Sequence, residues 1–254
     1  MRIAILITLI YYSNIITGQN TDLKREAEWL MVKGEYLYKH VLACKLTQEK
    51  YITSDNLVLS YKSGNELKAI EFTKQAGTTE VLKTVTYDWN TLSLIGADLS
   101  IKKEDGIEAL YRKMYLKIYS SGFYNTLYTD FWVVFEKPDD KFLAYIIPMQ
   151  NDDKLIIFGN DYLFTFDKNG EFIDFKPLHT NPIPVSLKSP PDIKVKGTVH
   201  THAGSSSEFM SPTDIAAMLL LKDKIEWEKH YVISGKYKSI YNVKEGTLVI
   251  EPKE

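Results

Sequence analysis

The chain has 254 residues, with 31 Lys and Arg against 33 Asp and Glu, so its formal net charge is −2. This near balance gives no reason to expect a nucleic acid or an anionic membrane surface as a partner, because both select basic patches. The single cysteine, Cys44, cannot form an intramolecular disulfide, and it excludes a metal site built from several thiolates.

The first 18 residues have the pattern of a secretory signal peptide. Arg2 supplies the positive start, residues 3–12 are an apolar run too short to span a bilayer, and Thr17 and Gly18 suit a cleavage site. We therefore predict a secreted or periplasmic protein with no stable membrane span after cleavage. An uncleaved anchor at the membrane interface is the alternative.

Residues 19–104 are predicted to form an N-terminal α+β unit. Apolar residues at helical spacing predict a helix over residues 21–46. Short runs rich in β-branched and aromatic residues follow, with a turn at residues 63–65, and predict a small antiparallel sheet. This unit carries no catalytic pattern, so we expect it to pack or to bind a partner.

Residues 105–254 are predicted to form a second domain with a mixed sheet. Helical spacing predicts a helix over residues 105–119, and continuous apolar runs predict buried strands at residues 131–135 and 142–148. Another helix should begin at Pro212, since proline suits the first helical position. The fold class is therefore predicted as α+β.

Two histidines in this second domain are spaced so that a strand would direct both to one face. If residues 195–202 form a strand, His200 and His202 project together. Asp214, on the helix that follows, is well placed to add a carboxylate. Three protein ligands with a fourth position for water are typical of a catalytic zinc site. The alternative is that Ser211 and Asp214 only cap that helix.

This pattern resembles the signature of the JAMM/MPN (JAB domain) zinc metalloprotease superfamily. That signature has an upstream Glu, then His-(Ser/Thr)-His-Pro, then a Ser with an Asp three residues beyond it. Residues 200–202 match the histidine motif, and Ser211 and Asp214 match in type and mutual spacing. The resemblance covers the chain from about residue 107 onward. It implies a divergent, exported member with the JAMM-like α/β sandwich in residues 105–254.

The chain departs from the signature at two places between the histidines and Ser211. Ala203 stands where the family has Pro, and residues 203–210 make this spacing eight residues instead of seven. The extra residue falls in a stretch of Gly and Ser that we expect to be a flexible loop.

The resemblance implies a zinc-dependent hydrolase that cleaves a peptide or isopeptide amide bond in a peptide or protein substrate. His200, His202 and Asp214 would hold Zn²⁺, which would activate a water molecule.

The chemistry also needs an acid that takes a proton from this water and passes it to the leaving amine. In the family this acid opens the strand after the first helix, where Asp130 stands in place of Glu. Glu136, at the far end of the same strand, is the alternative. Ser211 would stabilise the developing oxyanion if capping does not occupy its side chain.

A second function remains open, because a chain can keep this fold without its activity. Ala203, the longer loop and the Asp at position 130 favour a non-catalytic JAMM-like binding module. Among the other histidines, His179 is either structural or an additional ligand, and His230 is expected to be structural.

Overall fold

The computed structural model describes residues 3–53, 56–75, 77, 79–122, 130–202 and 207–253, with the side chains of residues 3–20 and 180 left out. The chain divides into two units. The first unit comprises residues 1–34 and 187–254, and the second comprises residues 35–186.

The first unit contains the start of helix α1, Ile3–Tyr51, and helix α3, Pro212–Leu221. Within its described residues, four strands form one sheet in the order β11-β12-β13-β14. Their bounds are Gly197–Thr201 for β11, Lys229–Ile233 for β12, Tyr237–Asn242 for β13 and Thr247–Pro252 for β14. β11 and β12 run parallel, while the other neighbours are antiparallel, so the sheet is mixed.

The second unit is built on a larger mixed sheet. Among its described residues, eight strands follow the order β10-β9-β8-β7-β1-β2-β4-β5. Their bounds in chain order are β1 Leu57–Ser63, β2 Glu66–Phe72, β4 Lys83–Asp88, β5 Leu94–Asp98, β7 Phe131–Glu136, β8 Lys141–Pro148, β9 Leu155–Asp167 and β10 Phe172–Ser186. Two short strands, β3 Glu80–Val81 and β6 Lys102–Lys103, pair separately.

Helices cover both faces of the large sheet. Alternate residues of β2 point to opposite faces, as its pleat requires. Ile70 and Phe72 pack in the same cluster as Met114 of helix α2, Gly106–Ser120. Leu67 and Ala69 instead pack with Ala43 of helix α1. This arrangement confirms the predicted α+β class, and it places the main core of this unit between α2 and the sheet.

The two units do not meet at residues 104 and 105, where a domain boundary was predicted. That boundary falls inside the second unit, where strands from both sides of it belong to one sheet. β1 pairs in parallel with β7, and Ser60 lies opposite Val134. A parallel pair between distant strands leaves no mark in local sequence pattern, which is why two sheets were expected.

Helix α1 is longer than the predicted helix and includes most of the segment expected to be a signal peptide. Within the part of the chain that the structure describes, no helix is both long and apolar enough to cross a membrane. Secretion and signal cleavage stay predictions.

Candidate metal centre

Strand β11 brings the two histidines of the motif to one place. His200 lies in the strand opposite Val232 of β12, and His202 follows its last residue. The His202 backbone N–H donates to the Ile233 carbonyl over 2.9 Å, so the extended path continues past the end of the strand. Both imidazoles are buried, with residue exposures of 5% and 6%. Their two-residue spacing therefore gives the shared face predicted from the sequence.

Asp214 is fixed by the start of helix α3. Ser211 is the N-cap, and its Oγ accepts the Asp214 backbone N–H over 3.0 Å. In return, Asp214 Oδ2 accepts the Ser211 backbone N–H over 2.9 Å, which completes a capping box. The helix therefore begins where Ser211 and Pro212 predict it, with Asp214 almost fully buried at 1% exposure.

The two imidazoles and the carboxylate converge. His200 Nε2 lies 3.1 Å from His202 Nε2, and Asp214 Oδ2 lies 3.8 Å from each of these nitrogens. Ligand atoms of all three residues lie within 4.8 Å of one another. The structure thus assembles a buried group that could hold a metal ion, from the three residues predicted as ligands.

The donor set and its spacing fit a small divalent ion. Ligand atoms at about 2.1 Å from a tetrahedral zinc lie about 3.4 Å apart, and the observed 3.1 and 3.8 Å separations fall on either side of that value. Two imidazole nitrogens with one carboxylate oxygen are also a ligand set found in catalytic zinc sites.

A backbone carbonyl fixes the tautomer of His202. The Nδ1 atom of His202 lies 2.8 Å from the carbonyl oxygen of Ser207. A carbonyl oxygen only accepts hydrogen bonds, so Nδ1 carries the proton and donates it. The neutral ring then presents the bare lone pair of Nε2 to the cluster, as metal binding requires.

His200 is held from behind by a second histidine. Its Nδ1 lies 2.8 Å from Nε2 of His230, and Nδ1 of His230 lies 2.7 Å from Oγ1 of Thr198. The parallel register of β11 and β12 places Thr198 opposite His230. A Thr198–His230–His200 chain of hydrogen bonds therefore leads from the sheet to Nδ1 of His200, on the side of the ring away from the cluster.

His230 is neutral in this setting. It is fully buried against the Trp227 ring, whose centroid lies 5.5 Å away. Burial and the neighbouring His200 lower the pKa of His230 to about 3, although Asp214 acts in the opposite direction. A neutral imidazole has one donor and one acceptor nitrogen. His230 can therefore accept a hydrogen bond from one neighbour while it donates to the other.

The cap of helix α3 occupies the Ser211 side chain, whereas the predicted catalytic role required that side chain to be free of capping. Its Oγ accepts from Asp214 and also lies 2.7 Å from Oγ1 of Thr213. The capping interpretation thus holds for Ser211 and Asp214, and Asp214 also belongs to the group that could hold a metal ion. Stabilisation of an oxyanion by Ser211 stays a prediction.

The other candidate residues belong to the second unit. Asp130 is exposed immediately before β7, and its backbone carbonyl accepts the Met149 N–H over 2.8 Å. Glu136 is the last residue of the same strand. The choice between Asp130 and Glu136 as the base stays a prediction. Residues 203–206, which include Ala203 and most of the expected loop, lie outside the described residues.

His179 also belongs to the second unit, on β10. Its Nδ1 lies 2.7 Å from Oδ1 of Asp161, and both side chains are buried. This contact gives His179 a partner inside its own unit. Its role as an additional ligand stays a prediction.

Sequence reasoning missed the part played by His230 and Thr198. Their spacing of 32 residues carries no local pattern, and only the pairing of β11 with β12 brings them together. One signal was present: Thr198 is two residues before the candidate ligand His200, so both side chains lie on the same face of β11.

Comparisons with known proteins do not place the chain in a family. No protein-family model and no curated protein matches it. Among solved structures, the Bacillus megaterium YpeB C-terminal domain matches at 10% sequence identity, covering 84% of this chain and 97% of that chain, with a TM-score of 0.24. A similarity this low does not show a shared fold. With no family model and no curated protein matching, the JAMM/MPN resemblance stays a prediction.

Proposed function

We propose that the protein is an exported zinc-dependent hydrolase that cleaves a peptide or isopeptide amide bond. The observation that carries the proposal is the convergence of His200, His202 and Asp214, whose ligand atoms lie within 4.8 Å of one another in a buried site. The JAMM-like spacing of the same residues supports a hydrolase over a purely structural site, because the family uses this ligand set for amide hydrolysis.

His200, His202 and Asp214 would hold the ion. Zinc at this position would supply a Lewis acid that makes a water molecule reactive at neutral pH. Asp130 would take a proton from the water and deliver it to the leaving amine, as a general base and then a general acid. Ser211, at the N-terminus of α3, lies where a helix favours negative charge that develops on the substrate.

Metal content is the first test. The purified protein should contain about one zinc per chain, measured by mass spectrometry of the metal. Asp214→Asn keeps an oxygen that can accept the Ser211 N–H, so α3 should stay capped while the loss of charge removes the zinc. Asp223→Asn, an exposed carboxylate just after α3, is the matched control and should retain it. A folded wild-type protein that takes up no zinc contradicts the proposal.

Hydrolysis is the second test. The zinc-loaded protein should cleave members of a peptide library, detected by mass spectrometry, and Asp130→Asn should abolish cleavage while zinc content stays the same. Asp140→Asn changes another exposed carboxylate and should leave cleavage unchanged. Bound zinc without cleavage of any peptide favours the non-catalytic binding module instead.

A further inference from the structure

The hydrogen bonds around the metal cluster form one continuous chain. It runs from Thr198 Oγ1 to His230, from His230 to His200, from His200 to His202, and from His202 to the Ser207 carbonyl. The four donor–acceptor distances are 2.7, 2.8, 3.1 and 2.8 Å, all within hydrogen-bond range.

The carbonyl at one end sets a direction for the hydrogen bonds of the neutral chain. His202 donates from Nδ1 to Ser207, so its Nε2 has no proton and can accept from Nε2–H of His200. His200 then has a bare Nδ1 that accepts from Nε2–H of His230. The bare Nδ1 of His230 in turn accepts from the Thr198 hydroxyl. Without a metal, all four bonds therefore point the same way.

A metal ion cannot bind to His200 while the protons are arranged in this way. Coordination needs the lone pair of Nε2 on His200, which carries a proton in the metal-free chain. We infer that metal binding reverses the Thr198–His230–His200 part of the chain. His200 then donates from Nδ1 to Nε2 of His230, and His230 donates from Nδ1 to the Thr198 oxygen.

The protons balance in this exchange. The proton on Nε2 of His200 leaves to solvent. The proton shared between His200 and His230 moves from Nε2 of His230 to Nδ1 of His200. The hydroxyl proton of Thr198 moves to Nδ1 of His230, and Thr198 regains one from solvent. Each neutral ring keeps one proton, so reversal releases no net proton from these side chains.

Two features of the chain make His230 and Thr198 suited to this exchange. A hydroxyl both donates and accepts, so Thr198 satisfies His230 in either direction. The neutral imidazole of His230 does the same for His200. The amide of Asn or Gln would have to rotate to exchange its donor for its acceptor, and a backbone carbonyl could only accept. His230 is thus a positioning residue for the proposed metal site, and the inference rests on that site.

Nuclear magnetic resonance of ¹⁵N-histidine-labelled protein tests the inference directly, because the nitrogen shifts report which ring nitrogen carries the proton. Without metal, His230 should be protonated at Nε2. With zinc, it should be protonated at Nδ1, although it does not touch the ion. His40 is a buried histidine of the second unit and serves as the internal reference, with no change expected.

The outcomes separate this inference from the proposed function. If zinc shifts the signals of His200 and His202 while His230 keeps its proton on Nε2, the metal site stands and the reversal is refuted. If zinc changes none of these signals, both fail.

Substitution adds a second measurement. His230→Phe should weaken zinc binding about 10- to 100-fold, the usual effect of losing a partner behind a metal-bound histidine. His230→Gln should recover part of the loss, because its amide offers both a donor and an acceptor. The exposed neighbour Lys229→Ala should bind zinc as the wild type does. Equal affinity of the Phe variant and wild type would overturn the positioning role.

Discussion

Gly34 lies where helix α1 approaches the start of helix α3, which carries the candidate ligand Asp214. A methyl group added at Gly34 would meet Ile215 Cγ2 at 2.5 Å and Ile215 Cβ at 2.6 Å, and it would lie 3.2 Å from the Pro212 carbonyl oxygen. Apolar carbon atoms normally approach to about 3.5–4.0 Å. Gly34→Ala therefore forces the two helices apart by a fraction of an ångström or more.

Two opposing effects set the size of the change in stability. Alanine favours a helix interior over glycine by about 1 kcal/mol. Overpacking a core typically costs about 1–3 kcal/mol. The cost at this site should be near the upper value, because Ile215 is fully buried and its β-branched side chain has few alternative rotamers. We expect Gly34→Ala to lower the free energy of unfolding by about 2 kcal/mol, the difference between these two effects.

Urea unfolding measures this change, and zinc titration measures its effect on the site. Because Ile215 directly follows Asp214, displacement of α3 should also weaken zinc binding. Gly106→Ala is the matched control, since Gly106 opens helix α2 and an added methyl there meets nothing within 4 Å. That variant should be as stable as the wild type or slightly more stable. A Gly34→Ala protein at least as stable as the wild type would refute the packing argument.

Three further predictions concern the cap and two buried side chains. Ser211→Ala should lower the free energy of unfolding by about 0.5–2 kcal/mol and should also weaken zinc binding. Asp105→Ala removes the capping box of α2 and should lower stability by a similar amount, but a zinc titration should show unchanged binding. Burial lowers the pKa of His40 from 6.5 to about 3, so protonation of the unfolded chain should remove about 2 kcal/mol of stability between pH 7 and pH 5, and a His40→Gln variant should lack this part of the loss in urea unfolding. Burial raises the pKa of the Cys44 thiol to about 12, so a thiol reagent at pH 8 should react only in denaturant, and fast reaction of the native protein would contradict its placement.

The features that sequence predicted well depend on local spacing. His200 and His202 share a face because strand geometry alone decides where residues two apart point. Helix α3 begins at Pro212 because the cap, the proline and the acid of its first turn act within four residues. These relations survive any arrangement of the rest of the chain, so they could be inferred before the fold was known.

Features that depend on pairing between distant strands could not be predicted. The parallel pair of β1 and β7 merges two expected sheets into one, and the pair of β11 and β12 makes His230 a partner of His200. Register between distant strands is set by packing of the whole unit. Strand β10 was also hard to predict in full, because Pro177, Pro182 and Pro184 are unfavourable inside a strand. They are accommodated because β10 lies at the outer edge of the sheet.

The sequence presented capping and metal binding by Asp214 as alternatives, and the structure shows why they are compatible. A carboxylate offers about four acceptor positions, so a hydrogen bond from the Ser211 N–H leaves capacity for an ion. The same bond fixes the rotamer, which holds Oδ2 at 3.8 Å from both imidazoles. The positive end of the α3 dipole further favours the ionised carboxylate that a metal requires. Capping thus preorganises the ligand, and Asp214→Asn separates the two roles because it retains an acceptor for the cap and removes the charge.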